Sequence, residues 1–255
     1  MKKYLIGSSA SSILRQIFEH YRKLNYRLIM PDRGCSQILF AAHFSGIEIQ
    51  TYIPEQLSRE PCKILERQNQ AKNVVILIVY KDGDFGYFRK FHDSMSEKNN
   101  SKNIVVIEDF SLCPPFSKTS ISCNNNVMSV FSFNYLKPKT FAGGGVLIHS
   151  SSFDLKVDVD LRITANLFYL FKYILILTLR RMLWVIKLNR LRRNHEKCIP
   201  DINKFSCSDR ITAINYVLLN RFVNRYTNTL TYTSDDIMQL INENKYHDYK
   251  SYYNF

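Results

Sequence analysis

The stretch "VFSFNYLKPKTFAGGGVLI", residues 130–148, decides how the chain is read. An apolar run closes at Ser132-Phe133, and a second apolar run, "GVLIHS", opens at Gly145. Between them stand Lys137, four residues past Phe133, a second lysine at Lys139, and three consecutive glycines, Gly143 to Gly145. The two runs read as strands. Upstream, "NVVILIVY" (73–80) and "NIVVIED" (103–109) are continuous β-branched runs, the pattern of strands buried on both faces. Strands of that kind need helices above and below them, so the first expectation is an α/β fold with a mainly parallel sheet covered by helices.

Working outward, the surrounding segments fit that alternation. "SSASSILRQIFEHYRKL" reads as a serine-capped amphipathic helix, with Ile13, Leu14, Ile17, Phe18 and Tyr21 on one face. "YRLIM" reads as a strand stopped by Pro31, "CSQILFAAHFSG" as a short helix ending at Gly46, and "IEIQTYI" (47–53) as a strand. "GYFRKFHDSM" reads as a further helix. After Ser150 no more strands are expected. The region 159–195 reads as one or two helices with an apolar face and basic flanks, and 207–228 as another helix with Ile211, Ile214, Val217, Leu218 and Phe222 in period. The expected organisation is an α/β domain over 1–158, a basic and apolar helical region over 159–228, and a polar tail or small-domain remnant over 229–255.

Composition narrows the function classes. The chain has 255 residues, 45% hydrophobic, enough for a sizeable core and too apolar for general disorder. Thirty-five Lys and Arg against 22 Asp and Glu give a formal charge of +13, which favours anionic partners. The excess is concentrated: between Arg162 and His195 there are eight Lys or Arg residues and no Asp or Glu. That stretch reads first as packing helices with solvated basic faces, and second as a peripheral membrane contact over 162–193 with Trp184, Phe168 and Tyr173 toward lipid. No nucleic-acid motif stands out in it. Six scattered cysteines with no C-x-x-C pair suit reduced thiols in the cytoplasm and supply no zinc set, so no metal is expected. The opening apolar run, Tyr4-Leu5-Ile6, is too short for a signal peptide.

In parallel α/β sheets, ligands gather beyond the carboxyl ends of the strands. Asp109 closes one strand and Ser132 another, with Lys137 five residues on. Gly7-Ser8-Ser9 precedes a helix, where unpaired backbone N–H groups and the helix dipole offer a phosphate seat. A lysine amine for an aldehyde, a carboxylate for a pyridine nitrogen and small donors for a phosphate together suit pyridoxal 5'-phosphate. The glycines would let backbone pass close to such a group. Each part also has a plainer reading: Asp109 as the cap of the next turn, Ser9 as a helix N-cap, and the glycines as a tight strand entry.

The same residues resemble the DegT/DnrJ-type sugar aminotransferases, pyridoxal phosphate enzymes of fold type I. The family carries an apolar strand ending I-E-D, then S-F-x-x-x-K, then a glycine-rich turn; this chain has Ile107-Glu108-Asp109, Ser132-Phe133, Lys137 and "AGGGVLI". "GSSAS" resembles the family's phosphate loop, and "IMPDRGCSQILFAAHFSGIEIQTYI" its V-P strand–helix–strand block. The resemblance spans about residues 5–228. It implies the large-domain fold of the pyridoxal phosphate transferases; the family continues past the late helix into a small domain, of which little or nothing is expected here. It implies Lys137 as the catalytic amine that takes the cofactor's aldehyde, Asp109 against the pyridine nitrogen, and Ser132 with Ser8 and Ser9 on the phosphate. Cys35 falls at the ring-stacking position. It further implies a homodimer acting on a nucleotide-linked keto-sugar with an amino-acid donor. The chain departs from the pattern at Leu112, where Gln or His is usual, at "YKDGDFG", and in being short at both ends. Two functions therefore stand: an aminotransferase, and a truncated non-catalytic homologue acting as a binding partner.

Overall fold

The computed structural model describes residues 3–54, 73–80, 104–111, 126–134, 141, 143–149, 153–154, 156–186 and 209–227. The expected helix "GYFRKFHDSM" and the tail from 229 lie outside the described residues.

The chain enters on β1 (Lys3–Gly7), turns at Ser8 and runs into α1 (Ala10–Lys23). Ser9 is in an extended conformation and its side chain accepts from the Ser12 backbone N–H at 3.0 Å, which fixes where α1 starts. Ile13, Leu14, Ile17 and Phe18 are buried along one face of this helix, as their spacing demands. β2 (Arg27–Pro31), α2 (Ser36–Ser45) and β3 (Ile49–Tyr52) follow. Gly46 closes α2 with φ of 69°, a left-handed conformation that suits glycine.

β4 (Val74–Val79), β5 (Ile104–Asp109), β6 (Val127–Ser132) and β7 (Gly145–His149) complete a seven-stranded sheet in the order β1-β7-β6-β5-β4-β2-β3. β3, β2, β4, β5 and β6 pair in parallel, and β7 is antiparallel to both β6 and β1. Six strands thus point one way. The mainly parallel, helix-covered sheet expected from the β-branched runs is the observed fold. One strand was missed: β1 is five residues long with only Tyr4, Leu5 and Ile6 as an apolar core, and its signal comes from pairing with β7 rather than from its own pattern.

Strand alternation splits the core in two. Val105, Ile107, Met128, Val130 and Leu147 face α1 and α2. Val106, Phe110, Phe131, Val146 and Ile148 face the opposite way and pack with Leu219 and Val223. These last two belong to α4 (Ala213–Thr227). Before it comes α3 (Ile163–Ile186).

The strands do not stop after Ser150. β8 (Asp158–Asp160) and β9 (Arg210–Thr212) form a parallel pair of their own. Each has three residues, too few to show alternation, and each is recognised only by the other. β9 also takes the residues expected to begin the last helix, which starts at Ala213 instead.

Candidate functional site

The sheet register brings several of the expected site residues to one edge. Ser132 pairs with Gly145, and Gly145 with Gly7, so the ends of β6 and β1 and the start of β7 lie in one lateral row. Asp109 pairs with Val130 on the neighbouring strand. Asp109 shares its face with Val105 and Ile107, and Ser132 shares its face with Met128 and Val130, so both carry their side chains on the α1 side. Their Cα atoms are roughly 8 Å apart, from a strand spacing of ~4.8 Å and one pleat of ~6.6 Å. Ser8 and Ser9 sit beside them, because the Gly144 N–H donates to the Ser8 carbonyl at 2.9 Å and Ser9 bridges to Gly144.

Asp109 is buried, 2% exposed, and its Oδ1 accepts from the Ser111 N–H at 2.8 Å. The capping role anticipated for this carboxylate is thus present. Ser132 is half-buried. Ser9 spends its side chain on the helix cap. The first turn of α1 contains no acidic side chain, which leaves the positive end of its dipole suited to an anion. Cys35 precedes α2 in extended backbone and is exposed. Lys137 lies outside the described residues, as do Leu112 and the residues after Tyr80 in "YKDGDFG".

The glycines are explained by contacts within the chain. A Cβ on Gly145 would sit 2.7 Å from the Ala10 backbone nitrogen and 2.8 Å from the Ser9 carbonyl carbon. A Cβ on Gly144, whose φ is 91°, would meet Leu219 Cδ1 at 2.3 Å. The turn is wedged between the start of α1 on one face and α4 on the other. The glycines are expected to let backbone pass close to a cofactor; the close neighbours among the described residues are Ser9, Ala10 and Leu219, which fits the plainer reading of a tight strand entry. Around the turn, Phe133 N–H donates to the Gly144 carbonyl at 3.0 Å, and Phe141 N–H and Gly143 N–H donate to the Phe133 carbonyl at 3.0 and 3.2 Å. Phe133 and Phe141, which flank the Lys137 segment in sequence, are therefore tied together.

Sequence reasoning missed three polar groups near this edge. Asp209 accepts from Ser12 Oγ at 2.5 Å, Arg15 at 2.7 Å and Gln16 at 3.0 Å, beside the start of α1. Partial burial pushes its carboxyl up, but the hydrogen bonds from Ser12, Arg15 and Gln16 and the Arg15 charge outweigh that, and the net shift is downward. Glu108 is fully buried on the opposite face of β5 from Asp109, and it accepts from Tyr80 Oη at 2.9 Å and Ser129 Oγ at 3.0 Å. Asn215, 4% exposed, stands beside Gly143 and Gly144, and its Oδ1 has no hydrogen-bond partner among the described residues. Glu108 belongs to the Ile107-Glu108-Asp109 motif, but no short-range pattern marks the contacts of these three, because their partners are distant in sequence. Among the described residues no group of His, Cys, Asp and Glu could hold a metal ion.

No protein-family model matches the chain, and no curated protein does. Solved structures similar to it include PseC of Helicobacter pylori, an aminotransferase involved in the biosynthesis of pseudoaminic acid, at 18% identity and a TM-score of 0.46, covering 58% of this chain and 40% of that one. The sugar aminotransferase CalS13 of Micromonospora echinospora is similar at 13% identity and a TM-score of 0.43, over 58% of this chain and 42% of its own. A Bacillus cereus protein described as a PLP-dependent aminotransferase is similar at 16% identity and a TM-score of 0.43, over 57% and 40%. The chain thus spans less than half the length of these solved structures.

Proposed function

We propose that the chain binds pyridoxal 5'-phosphate at the carboxyl edge of β5 and β6 and acts as an aminotransferase-like protein. The reading is supported by one observation above all: Asp109 and Ser132 end adjacent strands, on the same face, against the capped start of α1, in register with the S-F-x-x-x-K segment that supplies Lys137. The donor set fits the group. A buried carboxylate suits a protonated ring nitrogen, and a hydroxyl beside a helix N-terminus suits a phosphate. Bound there, the cofactor would supply an electron sink for a carbanion next to nitrogen.

The chain's own residues have defined tasks in this reading. The Asp109 carboxylate would hold the ring nitrogen in its protonated form. Ser132, with Ser8 and the amides at the start of α1, would hold the phosphate, and Cys35 at the entrance to α2 would lie on the ring side. Lys137 Nζ would be the amine for the aldehyde and would carry the proton to and from the substrate carbon. The acceptor is a nucleotide-linked keto-sugar for surface polysaccharide and the donor an amino acid, handled in the cytoplasm by a homodimer.

A second reading, a truncated homologue that binds without catalysis, draws on the side chains already engaged elsewhere: Ser9 as N-cap and Asp109 as cap of Ser111. One experiment separates the readings. Purified protein with excess pyridoxal phosphate should develop the visible absorption of covalently held cofactor, and Lys137→Ala should lose it. A colourless wild type overturns the first reading. Turnover of glutamate with a keto-sugar nucleotide overturns the second.

A further inference from the structure

Helix α3 presents an apolar surface that the other described residues leave exposed. Leu167, Phe168, Phe171 and Ile174 are 60%, 69%, 67% and 55% exposed. At 100° per residue the exposed apolar positions from Ile163 to Leu179 sweep about 200° of the helix circumference. Isolated exposed apolar residues are ordinary, but a contiguous patch along a helix marks a surface that docks on something. The remaining face holds α3 to the protein. Tyr169 is buried and donates to the Phe141 carbonyl. Tyr173, which the sequence placed toward lipid, is instead half-buried and stacks on Tyr169 and Phe141 with ring centroids 6.2 and 6.5 Å apart. Phe168 does point outward as expected, and the side chain of Trp184 lies outside the described residues.

We propose that this face of α3 lies on an anionic lipid bilayer. Charge decides between occupants. From Arg162 to His195 the sequence holds eight Lys or Arg residues and no Asp or Glu, and Lys172 is exposed on the helix. A second copy of the chain laid against this face would bring like charges together, with no acid on the helix to answer them. A single docking helix would cover only about 100° of the exposed arc. A bilayer surface takes both features at once. Apolar side chains enter the acyl boundary, and lysine and arginine reach the anionic headgroups. The helix is docked along its surface here, and among the described residues no helix is long and apolar enough to cross a membrane.

The test uses the full chain with vesicles of phosphatidylcholine alone and of phosphatidylcholine mixed with phosphatidylglycerol. Wild type should float with the anionic vesicles at low salt, bind the neutral ones at least about tenfold more weakly, and release as salt rises. The double variant Phe168→Ser/Phe171→Ser changes two exposed side chains, so its melting temperature should match wild type while vesicle binding falls about tenfold or more. Lys172→Glu should weaken binding to anionic vesicles alone. Absence of wild-type flotation at low salt overturns the proposal, as does equal binding by the double variant. A lipid-free dimer that the double variant dissolves, with no vesicle binding, assigns the face to a second copy instead.

Discussion

Asp109 and Ser132 stand one pleat apart on adjacent parallel strands, with their side chains on the same face of the sheet. This relationship turns two strand ends into one candidate site. A shift of either strand by one residue would send one of the two groups to the opposite face.

In the proposed site, Asp109 meets the only cationic part of the cofactor ring. Asp109→Ala should weaken pyridoxal phosphate binding roughly 10- to 100-fold, the worth of one charge-assisted hydrogen bond. Ser132→Ala should cost less, about threefold to tenfold. Titration followed by visible absorbance measures both. Because Asp109 also caps the Ser111 N–H, a thermal melt of each variant separates lost binding from lost stability. Unchanged affinity in Asp109→Ala removes the carboxylate from the site.

Gly145→Ala should destabilise the fold by about 1–3 kcal/mol, since its Cβ would press on backbone atoms of Ser9 and Ala10 that cannot rotate away. That corresponds to a melting-temperature loss of roughly 3–10 °C for a chain of this size. Gly34→Ala is the control, because nothing lies within 4 Å of its added Cβ. Equal stability of the two variants would show that the turn is not wedged against α1.

Buried Glu108 accepts from two hydroxyls, so its removal takes an acceptor from each. Glu108→Ala should cost about 3 kcal/mol in urea unfolding, while Tyr80→Phe and Ser129→Ala should each cost about 1 kcal/mol. A mild Glu108→Ala would mean that the cluster relaxes or admits water.

The acid limb of stability should carry the signature of Asp209 and Asp160. Both carboxyls titrate below their ordinary value of 3.8 in the folded chain. Asp160 is held at about 2, chiefly by hydrogen bonds from the Arg162 side chain and backbone N–H. A depressed folded-state pKa makes the ionised form stabilising above the unfolded value, and that contribution disappears as pH falls through the folded value. The stability gap between wild type and Asp209→Asn should therefore be full at neutral pH and shrink below about pH 4. A gap independent of pH would show that the Asp209 charge contributes nothing to the fold.

Much of this architecture is legible in the residues themselves. β4, β5, β6 and β7 announce themselves because strands buried on both faces must be apolar throughout. α1 does so because one face alternates with solvent. β8 and β9 escape notice because three residues cannot display a period, and β1 because only Tyr4, Leu5 and Ile6 in it are apolar; pairing with distant partners makes them strands. The site divides in the same way. Asp109 and Ser132 are visible as the polar ends of apolar runs. Asp209 is invisible in its own neighbourhood, since Ser12 and Arg15 precede it by 197 and 194 residues. The glycine triplet reads as room for a cofactor or as a tight strand entry, and only the packing of Ser9, Ala10 and Leu219 shows the close neighbours it has within the chain.

The placement of β7 between β6 and β1 has a consequence for how the molecule comes into being. Among the described strands β1 pairs with β7 alone, and β7 begins at Gly145, so during synthesis β1 emerges long before its partner exists. Until then β1 is a strand without its sheet neighbour, open to pairing with neighbouring polypeptides. Completion of the sheet is a late event, made when the last strand slides in between the first-made and the sixth.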